Sequence, residues 1–90
     1  MNRRQQWRKV LEAEVQRWSA LPYDRLQAQL ATPEVYEVVD GAQRYQIEID
    51  VLENTREYVH VMLSLDDGSL PLSLVPVIDS FITNKSDSDV

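Results

Sequence analysis

Between Tyr45 and Leu65 two runs of hydrophobic residues fall on every second position. Tyr45, Ile47, Ile49 and Val51 alternate with Gln46, Glu48 and Asp50. Val59, Val61, Leu63 and Leu65 alternate with Tyr58, His60, Met62 and Ser64. A period of two marks a strand with one buried face, and Asn54-Thr55-Arg56 between the two runs reads as a turn. Residues 43–52 and 57–65 are therefore expected to form an antiparallel pair with one apolar face, and such a pair needs further strands and a cover.

The further strands lie on either side. Tyr36 and Val38 alternate with Glu37, and Asp40-Gly41 is a hairpin signal. Asp66-Asp67-Gly68-Ser69 is another turn, followed by a fourth strand expected from Leu70 to about Ile78, where Pro71 and Pro76 suit an edge. Turn lengths suggest registers that set Val39 against Ala42, Glu53 against Glu57 and Leu65 against Leu70. These place Tyr36 opposite Tyr45, Ile49 opposite Val61 and Asp50 opposite His60. Each register sets apolar against apolar on one face, which a one-residue slip would destroy.

The cover comes from the N-terminus. Over residues 3–19, Trp7, Val10, Leu11, Val15 and Trp18 recur at helical spacing, opposite a side of Arg, Lys, Gln and Glu. Pro22 ends this pattern and opens a second helix from Tyr23 to about Leu30, with Tyr23, Leu26 and Leu30 inward. Thr32-Pro33 stops it. The fold expected is α+β, with one or two N-terminal helices packed on one face of a four-stranded antiparallel β-meander. Residues 1–83 make a single domain, and the polar residues 84–90 make a disordered acidic tail.

Size and charge narrow the function. A chain of 90 residues buries only about 60–65% of its unfolded surface, which leaves no deep cleft between domains. It has no cysteine, so disulfides, thiolate metal sites and Cys nucleophiles are excluded, and a reducing compartment is favoured. Glu12 interrupts Val10-Leu11 at once, so the basic N-terminus is read as neither a signal peptide nor a membrane span, and the expected location is the cytoplasm. Net charge is -6; residues 1–20 carry five basic side chains against two acidic ones, and the body is strongly acidic. An acidic body repels phosphate backbones, so no nucleic-acid partner is expected. The basic helix 3–17 remains a candidate contact for an anionic partner.

Chemical motifs are sparse. His60 is the only histidine, and with Asp50 and Glu48 it forms the one polar cluster able to serve acid–base or divalent-metal chemistry. Ser64 shares its face but lacks a glycine elbow. Asp66-Asp67-Gly68 does not make a calcium loop, because the ligand positions counted from Gly68 fall on Leu63, Leu65 and Leu74. Glycine occurs only at 41 and 68, both in turns, which leaves no phosphate-cradling loop. No catalytic, cofactor or metal residue is assigned. Apolar residues on the uncovered face make the stronger candidate: Tyr58 and Met62, joined by Val75 and Val77 of the fourth strand. Either the Phe81-Ile82 segment folds back over them or they form an interface.

Three stretches resemble a family of short, uncharacterised bacterial proteins, a domain of unknown function. They are Tyr45-Gln46-Ile47-Glu48-Ile49-Asp50-Val51, Val61-Met62-Leu63-Ser64-Leu65-Asp66-Asp67-Gly68 and Pro76-Val77-Ile78-Asp79-Ser80-Phe81-Ile82, and Tyr23-Asp24-Arg25-Leu26 fits its helical part. The resemblance covers about residues 5–83 and rests on a Ser-x-Asp-Asp-Gly turn and a Pro-x-x-Asp-Ser-Phe-Ile segment. Members carry glycine and an aromatic after the Asp-Asp-Gly, where this chain has Ser69 and Leu70. The resemblance implies a bacterial source and a compact fold, and brings no activity. The function expected is a small non-enzymatic binding or protein-interaction module, with a second copy or another protein as partner. The alternative is a small metal-dependent or acid–base enzyme centred on Asp50, His60 and Glu48.

Overall fold

A computed structural model describes residues 3–66 and 77–85, with side chains from residue 5 onward. Two helices, α1 (Arg3–Ser19) and α2 (Tyr23–Gln29), precede four strands: β1 (Glu34–Asp40), β2 (Gln43–Asn54), β3 (Tyr58–Asp66) and β4 (Val77–Asn84). The strands form one antiparallel sheet in the order β1-β2-β3-β4, the meander expected from the alternating runs. No helix among the described residues is long and apolar enough to cross a membrane.

The core is the one that the two periodicities specify. Trp7, Val10, Leu11 and Trp18 of α1, Tyr23, Leu26 and Leu30 at α2, and Tyr45, Ile47, Ile49, Val59, Val61, Leu63 and Leu65 of the sheet are all buried. Trp7 meets Tyr45 edge to face with ring centroids 6.3 Å apart, an arrangement worth about 0.5–1.5 kcal/mol beyond its area. Pro22 stands at the N-cap of α2 in extended backbone, where its missing N–H costs nothing. Two side-chain contacts tie α2 to the β2–β3 turn, and a third within α2 links them. Tyr23 donates its hydroxyl to the Thr55 carbonyl, and Gln27 Nε2 donates to both Tyr23 Oη (2.6 Å) and Asn54 Oδ1.

Registers differ from those suggested by turn length, and in β1–β2 and in β2–β3 up to Val51 the shift is by two residues, which keeps each face intact. In the first hairpin Asp40 pairs with Gln43, so Gly41-Ala42 is the two-residue loop and Tyr36 faces Ile47, not Tyr45. Gly41 takes φ +63° and no other described residue has positive φ, as in a type II′ turn with glycine at its first central position. Between β2 and β3, Val51 faces Val61 and Ile49 faces Leu63; then Leu52 is inserted as a bulge and Glu53 faces His60. The extra residue absorbs the odd count between the ladder and the Thr55 turn. There Thr55 Oγ1 accepts the N–H groups of Glu57 and Tyr58, both at 3.1 Å.

The fourth strand is displaced most. It runs over Val77–Asn84 and pairs Leu65 with Val77, not with Leu70. Leu70–Pro76 and the Asp67–Ser69 part of the turn lie outside the described residues, as does most of the tail. Asn84, which the sequence assigns to that tail, is the last residue of β4, and the Lys85 N–H donates to the Glu57 carbonyl at 2.8 Å.

Candidate interaction surface

Helices occupy one face of the sheet, and the register specifies what the other face carries. On β3 it presents Tyr58, His60, Met62 and Ser64, and on β4 Ile78, Ser80, Ile82 and Asn84. On β2 it presents Gln46, Glu48 and Asp50. Met62 stands opposite Ser80, with Ile78 and Ile82 diagonally to either side, and Tyr58 is diagonal to Ile82. Diagonal neighbours in a sheet lie about 7–8 Å apart, within reach of long side chains. Ile78 and Ile82 are 46% and 56% exposed, Met62 is half-buried between them, and Tyr58 is half-buried beyond Ile82. The result is an apolar zigzag along β3 and β4, interleaved with His60, Ser64 and Ser80 and bordered by the carboxylates of β2.

Of the interface residues expected from sequence, Tyr58 and Met62 therefore lie on this surface. Val77 does not. It is 2% exposed and packs into the helix-covered core opposite Leu65, because the true start of β4 reverses the parity assumed for it. Val75 lies outside the described residues. The Phe81-Ile82 segment is not folded back over the surface. It is part of β4, with Phe81 turned toward the core and Ile82 outward. Ile78 and Ile82 complete the surface, and their only sequence signal is a pair of β-branched residues two steps either side of Ser80.

The polar cluster comes apart through the β2–β3 register and its bulge at Leu52. Asp50 faces Met62, Glu48 faces Ser64 and His60 faces Glu53 and Ile82, so the Asp50–His60 pair required for orienting an imidazole does not form. Tyr58 instead donates its hydroxyl to Glu53, which together with Glu57 holds that phenol above its ordinary pKa. Among the described residues no three His, Asp or Glu side chains gather closely enough to hold a metal ion.

Two hollows lie elsewhere. A groove of about 250 Å³ between α1 and β1 is lined by Lys9, Val10, Ala13, Glu14, Val38, Val39 and Asp40. A wider polar hollow beside α2 and the β2–β3 turn includes Arg56 and Lys85. On the basic helix, Arg8 and Lys9 are exposed, whereas Arg17 is tied to Glu14 at 2.8 Å.

The edges of the sheet differ. β1 follows Pro33 and carries Glu34, Glu37 and Asp40, charges of the kind that discourage strand addition. β4 carries one charged residue, Asp79. Because Lys85 donates to Glu57, directly across the continued ladder, hydrogen bonding alternates back along β4. Ile78, Ser80, Ile82 and Asn84 consequently turn their N–H and C=O groups away from β3. Ser80 agrees: its N–H is taken by Asp79 Oδ1 at 2.8 Å.

Comparison of the chain with protein-family models, with curated proteins and with solved structures finds no match.

Proposed function

We propose that this chain is a small protein-interaction module that binds through the β3–β4 side of its sheet. One observation carries the reading: a single helical layer covers one face, and the opposite face sets Ile78 and Ile82 in the open around Met62 and Tyr58. Contiguous apolar surface rimmed by polar residues marks interaction sites on monomeric domains. The carboxylates of Glu48 and Asp50 beside it discourage non-specific association and favour a partner surface of neutral or positive potential. The acid–base alternative loses its support with the Asp50–His60 pair.

The test places a photoreactive residue at Tyr58, at Ile82, or at the control positions Gln5 and Arg25 on the helical side, and irradiates each in extract of the source cells. Defined adducts at 58 and 82, lost when Met62→Glu is added and absent from the controls, are expected. A profile equal at all four positions would overturn the reading.

A further inference from the structure

We infer that β4 pairs antiparallel with β4 of a second copy of this chain, about a twofold axis at Ser80, joining two sheets into one. This rests on the interaction reading above and names its partner.

Three features of β4 point to a second copy. Its outward residues are self-complementary: with Ser80 opposite Ser80, Ile78 of each copy faces Ile82 of the other, so both flanking pairs are apolar. Their main-chain groups match as well. Ile78, Ser80 and Ile82 all direct N–H and C=O outward, and the same register makes each pair one that exchanges both hydrogen bonds. An axis at Phe81 instead would set Ile78 against Asn84 and Ile82 against Ser80, and lose the apolar pairs. Lastly, β4 is less blunted than the opposite edge: Val77–Asn84 carries one charged residue where Glu34–Asp40 carries three, and it contains no proline, glycine or lysine.

Asp79 is the restraint on this edge. Its carboxylate holds the Ser80 N–H, the donor nearest the axis, so pairing must exchange that bond for the partner's Ser80 carbonyl. It is also a charge brought close to its own copy. Both effects weaken association without preventing it, and the net charge of -6 adds a repulsion that salt screens. Joined this way, the apolar zigzags of the two copies become one surface at the centre of the combined sheet.

Light scattering after size exclusion, over a concentration series, tests the inference. The wild type is expected to dimerise, more tightly as salt rises. Ser80→Pro removes only an outward N–H, in an edge position where proline is tolerated, and is expected to give a folded monomer with an unchanged circular dichroism spectrum. Asp79→Ala frees the donor and should tighten association about tenfold, the scale of one hydrogen bond to a charged group. If Ser80→Pro loses its fold, the Ile78→Lys, Ile82→Lys double variant decides, since pairing would set lysine against lysine. Folded monomers support the edge pairing. A wild type monomeric at the highest soluble concentration, or a dimer that survives these substitutions, overturns it. In either case photo-adducts to another protein at Tyr58 and Ile82 would leave the interaction reading standing, and their absence would remove both.

Discussion

Trp18 donates its indole N–H to the hydroxyl of Tyr36 across 2.8 Å, and that hydroxyl donates in turn to Glu14 Oε1 at 2.6 Å. The two residues are 18 positions apart in sequence and join α1 to β1. Arg17 closes the group: it pairs with Glu14 at 2.8 Å, and its guanidinium carbon lies 5.6 Å from the Trp18 ring centre and 5.5 Å from that of Tyr36. A half-buried carboxylate and phenol and a buried indole are thus satisfied by one another at the rim of the core, and no buried side-chain polar atom among the described residues lacks a partner.

Tyr36→Phe should therefore cost about 1–2 kcal/mol, the range for losing a bonded hydroxyl whose former partners remain. Its effect also depends on pH. Burial first, and the bond to Glu14 second, push the Tyr36 pKa up from 10.0 to about 12. The folded state thus favours the neutral phenol. The stabilisation is complete below pH 10.0 and fades as the pH rises through about 12. Urea unfolding of wild type and Tyr36→Phe across that interval should show the gap between them closing as pH rises. A gap that stays constant would mean that Tyr36 ionises as freely in the folded protein as in the unfolded chain.

Adjacent residues of β4 should respond in opposite ways to the same charge. Val77→Glu puts a carboxylate where a side chain is 2% exposed, at a cost of roughly 3 kcal/mol or more, enough to unfold much of so small a domain. Ile78→Glu, at a position 46% exposed, should shift stability by under about 1 kcal/mol. Circular dichroism melts of the two variants at low protein concentration check both. Equal melting points would mean that β4 does not have the parity described.

Gly41 offers a test of the first hairpin. A Cβ there meets nothing within 4 Å, so space is no obstacle, and the strain comes from φ +63° alone. Gly41→Ala should destabilise by about 1 kcal/mol, and Gly41→Asn by less, since asparagine tolerates that conformation better. Thermal melts that rank alanine at or above asparagine would exclude the turn described.

The extent to which each part was legible follows from the range of the signal. Trp7, Leu11 and Trp18, or Ile47 and Ile49, announce their burial through spacing on their own element, and every one is buried. The fourth strand misled because Leu70–Ile78 is richer in apolar residues than Val77–Asn84, whose core-side row includes Asp79 and Thr83. The better signal was negative: Pro71 and Pro76 lack the N–H that a ladder uses, and the run without proline begins at Val77. His60 and Asp50 misled differently. Both lie on the face expected of them, but which residue stands opposite depends on how the Thr55 turn closes and on the bulge at Leu52, and neither has a spacing signature.

The sequence by itself determined the two helices, the meander and the side of the sheet on which the residues of β1 to β3 lie, apart from the end of β2 beyond the Leu52 bulge. These depend on local periodicity, and a register shift of two preserves the face. Only the tertiary structure decided the neighbours across strands, the place of β4 and the edge it presents. Those depend on how each turn closes and on which distant segment best completes a shared core, and no single stretch of chain encodes that competition.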